Sequence, residues 1–168
     1  MIIVRTEVIQ DYAAVRLVNE LAFGQPLEAN LVEALRENAQ PYISLVATNG
    51  NEVVGHIFFS AVTLEPNQQE VSIMGLAPMA VLPEFQRQGI GSQLVRTGLA
   101  KCEELKSDAV VVLGHPEFYP RFGFVPASRK GLRCEYPVPD DVFMVLELKP
   151  DAIADGGLVK YRPEFSSV

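Results

Sequence analysis

The string APMAVLPEFQRQGIGSQLV, residues 77–95, runs from an apolar stretch through a proline into Gln86-Arg87-Gln88-Gly89-Ile90-Gly91 and on into helical spacing. No other stretch constrains the fold as tightly. A strand must end, a turn poor in side chains must follow, and a helix must begin within a few residues. Gly89 and Gly91 permit dihedrals and close approaches that a Cβ would obstruct. The N–H groups that open a helix point outward at the positive end of its dipole. On the glycines alone two readings stand: a cradle for a phosphate or pyrophosphate, or a tight strand-to-helix turn that binds nothing. A Walker loop is excluded because no Lys follows the glycines. A dinucleotide fingerprint is excluded because the third Gly and the later acidic residue are missing.

Around this turn the periodicities alternate between two and 3.6 residues. MIIVRTEV reads as a first strand. Tyr12, Val15, Val18, Leu21 and Ala22 mark the buried stripe of a first helix with Asp11 as N-cap, and Leu27, Leu31 and Leu35 that of a second, with Pro26 just inside its start. Two strands flank Asn49-Gly50-Asn51, a strong hairpin signal. The long strand QEVSIMGLAPMAVLP carries Gly75 and Pro78, which predict a kink or bulge. After the glycine turn, Leu94, Val95, Leu99, Cys102 and Leu105 form the inner stripe of a third helix. The wholly apolar DAVVVLG predicts a central strand with parallel neighbours. PEFYPRFGF is a short helix or a turn, DVFMVLELK a late strand, and LVKYRPEF a last edge piece. The order β-α-α-β-β-β-α-β-α-β predicts an α/β sheet of mixed direction. The chain reads as one domain over residues 1–168, with 150–168 as an extension at the edge.

Composition removes several function classes. Of 168 residues 48% are hydrophobic and 21% charged, values of a folded chain rather than a disordered one. The net charge of −7 disfavours nucleic acid, which is gripped by clustered Lys and Arg, and suits a cationic partner such as an amine. Apolar stretches stop well short of the roughly 20 residues of a membrane span, and with strand-like IIV and then charges after Met1 no signal peptide is expected. Two cysteines, Cys102 and Cys134, form neither a disulfide framework nor a metal motif. A cytoplasmic protein with no metal, no nucleic acid and no membrane partner is expected.

Two segments together carry a family resemblance. MAVLPEFQRQGIGSQLV resembles the Gln/Arg-x-x-Gly-x-Gly/Ala loop of the GNAT superfamily of N-acetyltransferases, which follows a strand ending in Val-x-Pro. HPEFYPRFGFVPAS resembles that superfamily's Tyr-x-x-x-Gly-Phe segment, here Tyr119 to Phe124. With LEANLVEALR and VFMVLEL, the likeness spans nearly the whole chain and points to a YhbS-type acetyltransferase subgroup.

The resemblance implies a mixed, mostly antiparallel central sheet flanked by helices, with a parallel, splayed strand pair at the acyl-CoA site. It implies acetyl-CoA as acyl donor: Met79, Ala80 and Val81 offering backbone groups to the pantetheine arm, and Gln86, Arg87, Gln88, Gly89, Ile90 and Gly91 wrapping the pyrophosphate. The reaction implied is direct attack of a small-molecule or peptide amine on the thioester, with Tyr119 as general acid. For the base, Glu28 and Glu33 on the second helix and His115 after the apolar strand are the candidates, each with a plain structural alternative. His56, in mid-strand, reads as structural. Cys134 as an acyl carrier lacks a neighbouring His. Most phenylalanines read as core. Residues 128–141 are expected to shape the acceptor pocket, and an exposed late strand would allow a homodimer. A non-catalytic acyl-CoA-binding or regulatory module on the same fold is the alternative.

Overall fold

The computed structural model describes residues 1–167, and its centre is a long twisted sheet. In chain order the elements are β1 (Ile2–Thr6), α1 (Tyr12–Phe23), α2 (Leu27–Asn38), β2 (Tyr42–Asn49), β3 (Glu52–Glu65), β4 (Ile73–Val81), α3 (Ile90–Glu104), β5 (Ala109–Leu113), β6 (Val125–Pro126), β7 (Leu132–Cys134), β8 (Phe143–Glu147), β9 (Gly157–Lys160) and α4 (Glu164–Ser167). Strands pair in the order β1-β2-β3-β4-β5-β8-β6, while β9 joins the far end of β3 to β7.

The hairpin forms where Asn49-Gly50-Asn51 places it: Asn49 faces Glu52 and Gly50 takes φ +62°. β4 and β5 run parallel from Ile73/Ala109 to Leu76/Val112, and the pairing ends there. β5 therefore has one parallel neighbour, not two, because β8 lies antiparallel on its other side. An apolar run reports burial on both faces; it does not report the direction of its neighbours.

The irregularity expected in β4 sits at residues 77–78. β3 advances from Phe59 to Ile57 while β4 advances from Leu76 to Met79, so β4 holds one extra residue. Gly75 is not part of it: it pairs regularly with Ser60 and Val111. Its role is steric, since a Cβ there would come within 2.8 Å of Val62 Cγ1.

Two layers cover the sheet. α3 packs on one face, where Gly98 lies directly against the Phe59 ring and Gly55 against Leu94 and Ile90. α1 and α2 cover the other. There Asn19 Nδ2 donates to Val15 O (3.0 Å) and to His56 Nδ1 (3.2 Å), leaving the imidazole Nε2–H to donate to Ser44 Oγ (2.9 Å). His56 is fully buried, and burial first, then the charge of Arg36, lowers its pKa to about 3. It is a neutral structural residue, as its mid-strand position suggested.

Several helix-face expectations change. Val15, Val18, Leu31, Leu35, Leu94, Val95 and Cys102 are buried, but Leu21 (52% exposed), Leu27 (42%) and Leu105 (49%), in the terminal turns or cap of their helices, are exposed. Asp11 makes no side-chain cap to α1. Its carboxylate instead takes the Val8 N–H (2.8 Å) and the Arg5 guanidinium (2.7 and 3.0 Å), and the Arg5 bond is the largest cause holding it below the usual range. Pro26 is the residue before α2 rather than its first. The piece expected at the edge, β9, is flanked by β3 on one side and β7 on the other.

Candidate active site

Beyond Leu76 and Val112 the parallel pair separates, and β4 continues alone on that side through Met79, Ala80 and Val81. The glycine turn closes the end of this gap. Arg87 (φ +63°) and Gly89 (φ +85°) both take left-handed backbone, which swings the chain from the 3₁₀ turn Pro83–Phe85 directly into α3. The turn is tied down from within: Gln86 Nε2 donates to Val81 O (3.0 Å) and Gln88 Nε2 to Glu84 O (3.2 Å). At Gly89 nothing stands within 4 Å of where a Cβ would be. The requirement there is conformational.

The first intrahelical bond of α3 runs from Gln93 N to Gly89 O (3.1 Å), so the amides of the preceding turn have no helical acceptor. No acidic side chain occupies that first turn. The result is a group of backbone donors at the positive end of a 15-residue helix.

Strand gap and turn together form a cleft of about 660 Å³ lined by Met79, Val81, Phe85, Gln86, Arg87, Gly89, Ile90, Gly91, Ser92, His115, Phe118 and Arg121. Phe118 and Met79 approach Gly91 closely: a Cβ on Gly91 would stand 3.7 Å from Phe118 Cζ and 3.6 Å from Met79 Cε. Apolar side chains form the strand end and polar backbone the turn end, a gradient suited to a ligand with one greasy and one anionic part.

The residues singled out in the sequence divide clearly. Met79, Val81, Gln86, Arg87, Gly89, Ile90, Gly91 and His115 line the cleft. Ala80 does not; it pairs with His56 and its side chain joins the core behind the sheet. Gln88 is exposed and points back to Glu84. Glu28 accepts from Gln25 at the start of α2, and Glu33 pairs with Arg16 (3.1 Å), both outside the cleft lining. Tyr119 is 6% exposed, with its ring against Gly114 and edge-on to Phe118 and Phe124. It is not among the residues that line the cleft, and its N–H bonds His115 O (3.3 Å). Burial pushes its phenol up to about 12.

Four lining residues were not foreseen: Phe85, Ser92, Phe118 and Arg121. Ser92 follows from the helix start already identified. The other three sit on 3₁₀ turns or beside them, where no period reports which way a side chain points. Cys134 lies elsewhere, in a depression with Tyr136 and Pro137, and burial raises its thiol, against an acyl-carrier role. The span 128–141 contributes nothing to the cleft lining. Among the described residues there is no group of three or more His, Cys, Asp or Glu that could hold a metal, and no helix is long and apolar enough to cross a membrane.

With this geometry in hand, similarity to known proteins is specific. A family model for an acetyltransferase (GNAT) domain matches residues 40–126, which include β4, the glycine turn and Tyr119. The Escherichia coli K12 protein named uncharacterized N-acetyltransferase YhbS is 36% identical over 166 residues, 98% of each chain. A second protein of that strain, named uncharacterized N-acetyltransferase YjhQ, is 40% identical over 134 residues, 78% of this chain and 74% of that one. The crystal structure of Escherichia coli YhbS in complex with CoA superposes with a TM-score of 0.90 at 35% identity, covering 98% of this chain and 92% of that one. A GNAT family acetyltransferase from Brucella melitensis in complex with acetyl-CoA gives 0.81 at 34% identity, with 98% of both chains covered.

Proposed function

Because the chain belongs to the GNAT family of N-acetyltransferases, we propose that it moves an acetyl group from acetyl-CoA to a primary amine by direct attack of the amine on the thioester, within one acyltransferase domain. The observation that carries this reading is the cleft itself. A strand edge freed from its parallel partner leads to a turn of outward amides. Such amides hold a diphosphate through dipoles rather than through a Lys. The free edge of Met79–Val81 can pair with the amide-bearing pantetheine arm as an added strand would. The two ligand-bound structures named above support the donor.

The donor supplies an acyl carbon already activated as a thioester, and the protein supplies position and protons. Backbone N–H groups near Val81 polarise the carbonyl as charge develops on oxygen. His115, the titratable candidate that lines the cleft, takes the proton from the amine. The C–N bond forms, the C–S bond breaks, and the departing sulfur takes a proton from Tyr119. A phenol held near 12 by burial is protonated throughout the working range, as a donor must be. The half-buried apolar side chains of Met79, Phe85 and Phe118 line the cleft and limit the access of water that would hydrolyse the thioester.

The test has two arms. Calorimetric titration with CoA reads the cradle, and release of free thiol from acetyl-CoA against a panel of primary amines reads the transfer. Binding without amine-dependent thiol release would leave the protein a sensor of acyl-CoA rather than an enzyme. The absence of binding would remove the donor.

A further inference from the structure

The rim of the cleft carries an ordered ladder of cations and rings. Arg96 stands over the ring of Phe122 at 5.1 Å, Phe122 meets Phe118 edge-on at 5.1 Å, and Arg121 stands over Phe118 at 5.6 Å. Ser92 lines the cleft, and Arg96 follows it one turn later on the same side of α3. Phe118 and Arg121 belong to the opposite wall. The ladder thus links the α3 side of the cleft to the wall that bears Phe118 and Arg121.

Its charge is uncommitted. Arg5, Arg16, Arg36 and Arg162 are each neutralised by a carboxylate within 3.4 Å. Arg87, Arg96 and Arg121 have no such partner among the described residues. Arg87 and Arg121 line the cleft and Arg96 reaches it through Phe122, so in a chain of net charge −7 they form a local field that favours an anion.

The donor has two anionic groups, a diphosphate and a 3′-phosphate monoester one ribose away. The outward amides and Arg87 answer the first, on the turn side. Arg121 belongs to the other wall, exposed, with its guanidinium carbon 5.6 Å from the Phe118 ring centroid, so its N–H groups are accessible to a ligand. That arrangement suits bidentate contact with a phosphate monoester. We propose that Arg121, held by the Phe118–Phe122 pair and backed by Arg96, binds the 3′-phosphate, so that the cleft selects coenzyme A over its 3′-dephospho form. The inference rests on the donor reading above.

The test titrates the wild-type protein, Arg121→Gln and Arg121→Lys with CoA and with 3′-dephospho-CoA by calorimetry. The wild type is expected to prefer CoA by about ten-fold, or about 1.4 kcal/mol. Arg121→Gln loses most of that preference while its affinity for 3′-dephospho-CoA stays within about two-fold, and Arg121→Lys keeps part of it. Arg96→Gln, at the other end of the ladder, shows a smaller loss in the same direction. Equal weakening toward both ligands would place the guanidinium on the diphosphate and overturn the proposal, as would an unchanged preference. A wild-type protein that binds neither compound would remove the donor reading itself.

Discussion

The ring of Tyr119 lies so closely over Gly114 that no β-carbon fits between them. Gly114 is the residue that follows β5, and its bare Cα lets the chain fold the 119–122 turn back onto the strand end. The position of Tyr119 relative to the cleft is thus set by a glycine five residues earlier. Gly114→Ala is expected to destabilise the protein by about 1–3 kcal/mol through overpacking and to shift the phenol. A lowered urea midpoint with unchanged slope, together with reduced thiol release, checks both parts.

Tyr119→Phe separates the hydroxyl from the ring. The ring contacts with Gly114, Phe118 and Phe124 survive, so stability and CoA affinity stay near wild type while kcat falls by about 10²-fold. Because burial holds the phenol near 12, the wild-type rate should show no alkaline loss from this group below about pH 10. Wild-type turnover in the variant would take the donor role from Tyr119.

His115→Ala tests the base. The side chain is exposed at the cleft and makes no side-chain packing on which the core depends, so thermal stability should change little. Amine-dependent thiol release should fall by about 10²-fold, with the KM for acetyl-CoA within about three-fold of wild type. A parallel Glu28→Gln variant is expected to keep wild-type turnover, since that carboxylate is engaged by Gln25 away from the cleft.

Gly91→Val tests the cradle. The position is helical, so the backbone tolerates the change, but the new methyls would press on Met79 and Phe118, already 3.6–3.7 Å from where a Cβ would sit. CoA affinity should fall by about ten-fold or more, with little loss of stability. Calorimetry reads the first and a thermal melt the second.

His56 ties stability to pH. Its folded pKa, about 3, lies below the 6.5 of an unfolded histidine, so between those values the unfolded chain binds the extra proton. Stability therefore rises with pH across that window and is lost as pH falls through it, by about 1 kcal/mol per pH unit near pH 5–6. His56→Gln costs stability at neutral pH through the lost bonds to Asn19 and Ser44, yet should flatten this dependence. Urea midpoints at pH 5, 6 and 7 for both proteins decide it.

What the sequence disclosed follows from what local chemistry can encode. Gly89 and Gly50 announce their turns because their left-handed backbone favours glycine, while Gly91 announces a close approach near Met79 and Phe118. The direction of β8 beside β5 is not local, and Val110 or Val111 would read the same between any neighbours. Leu21, Leu27 and Leu105 keep helical period yet are exposed, because burial at the ends of a helix depends on what the rest of the chain packs there. Within the cleft, the strand and helix walls were readable as periods. The wall bearing Phe118 and Arg121 was not, since a 3₁₀ turn presents side chains in no repeating order.

The surplus residue in β4 has a consequence of parity. Met79 and Val81 face the α3 layer only because the count between Leu76 and Met79 is three against two on β3. Were the same residues paired regularly, with no bulge to absorb the extra one, every side chain after it would trade places: Ala80 would turn toward the ligand, and Met79 would be driven toward Asn19 and His56. A single unit of length thus decides which half of the molecule can hold a coenzyme.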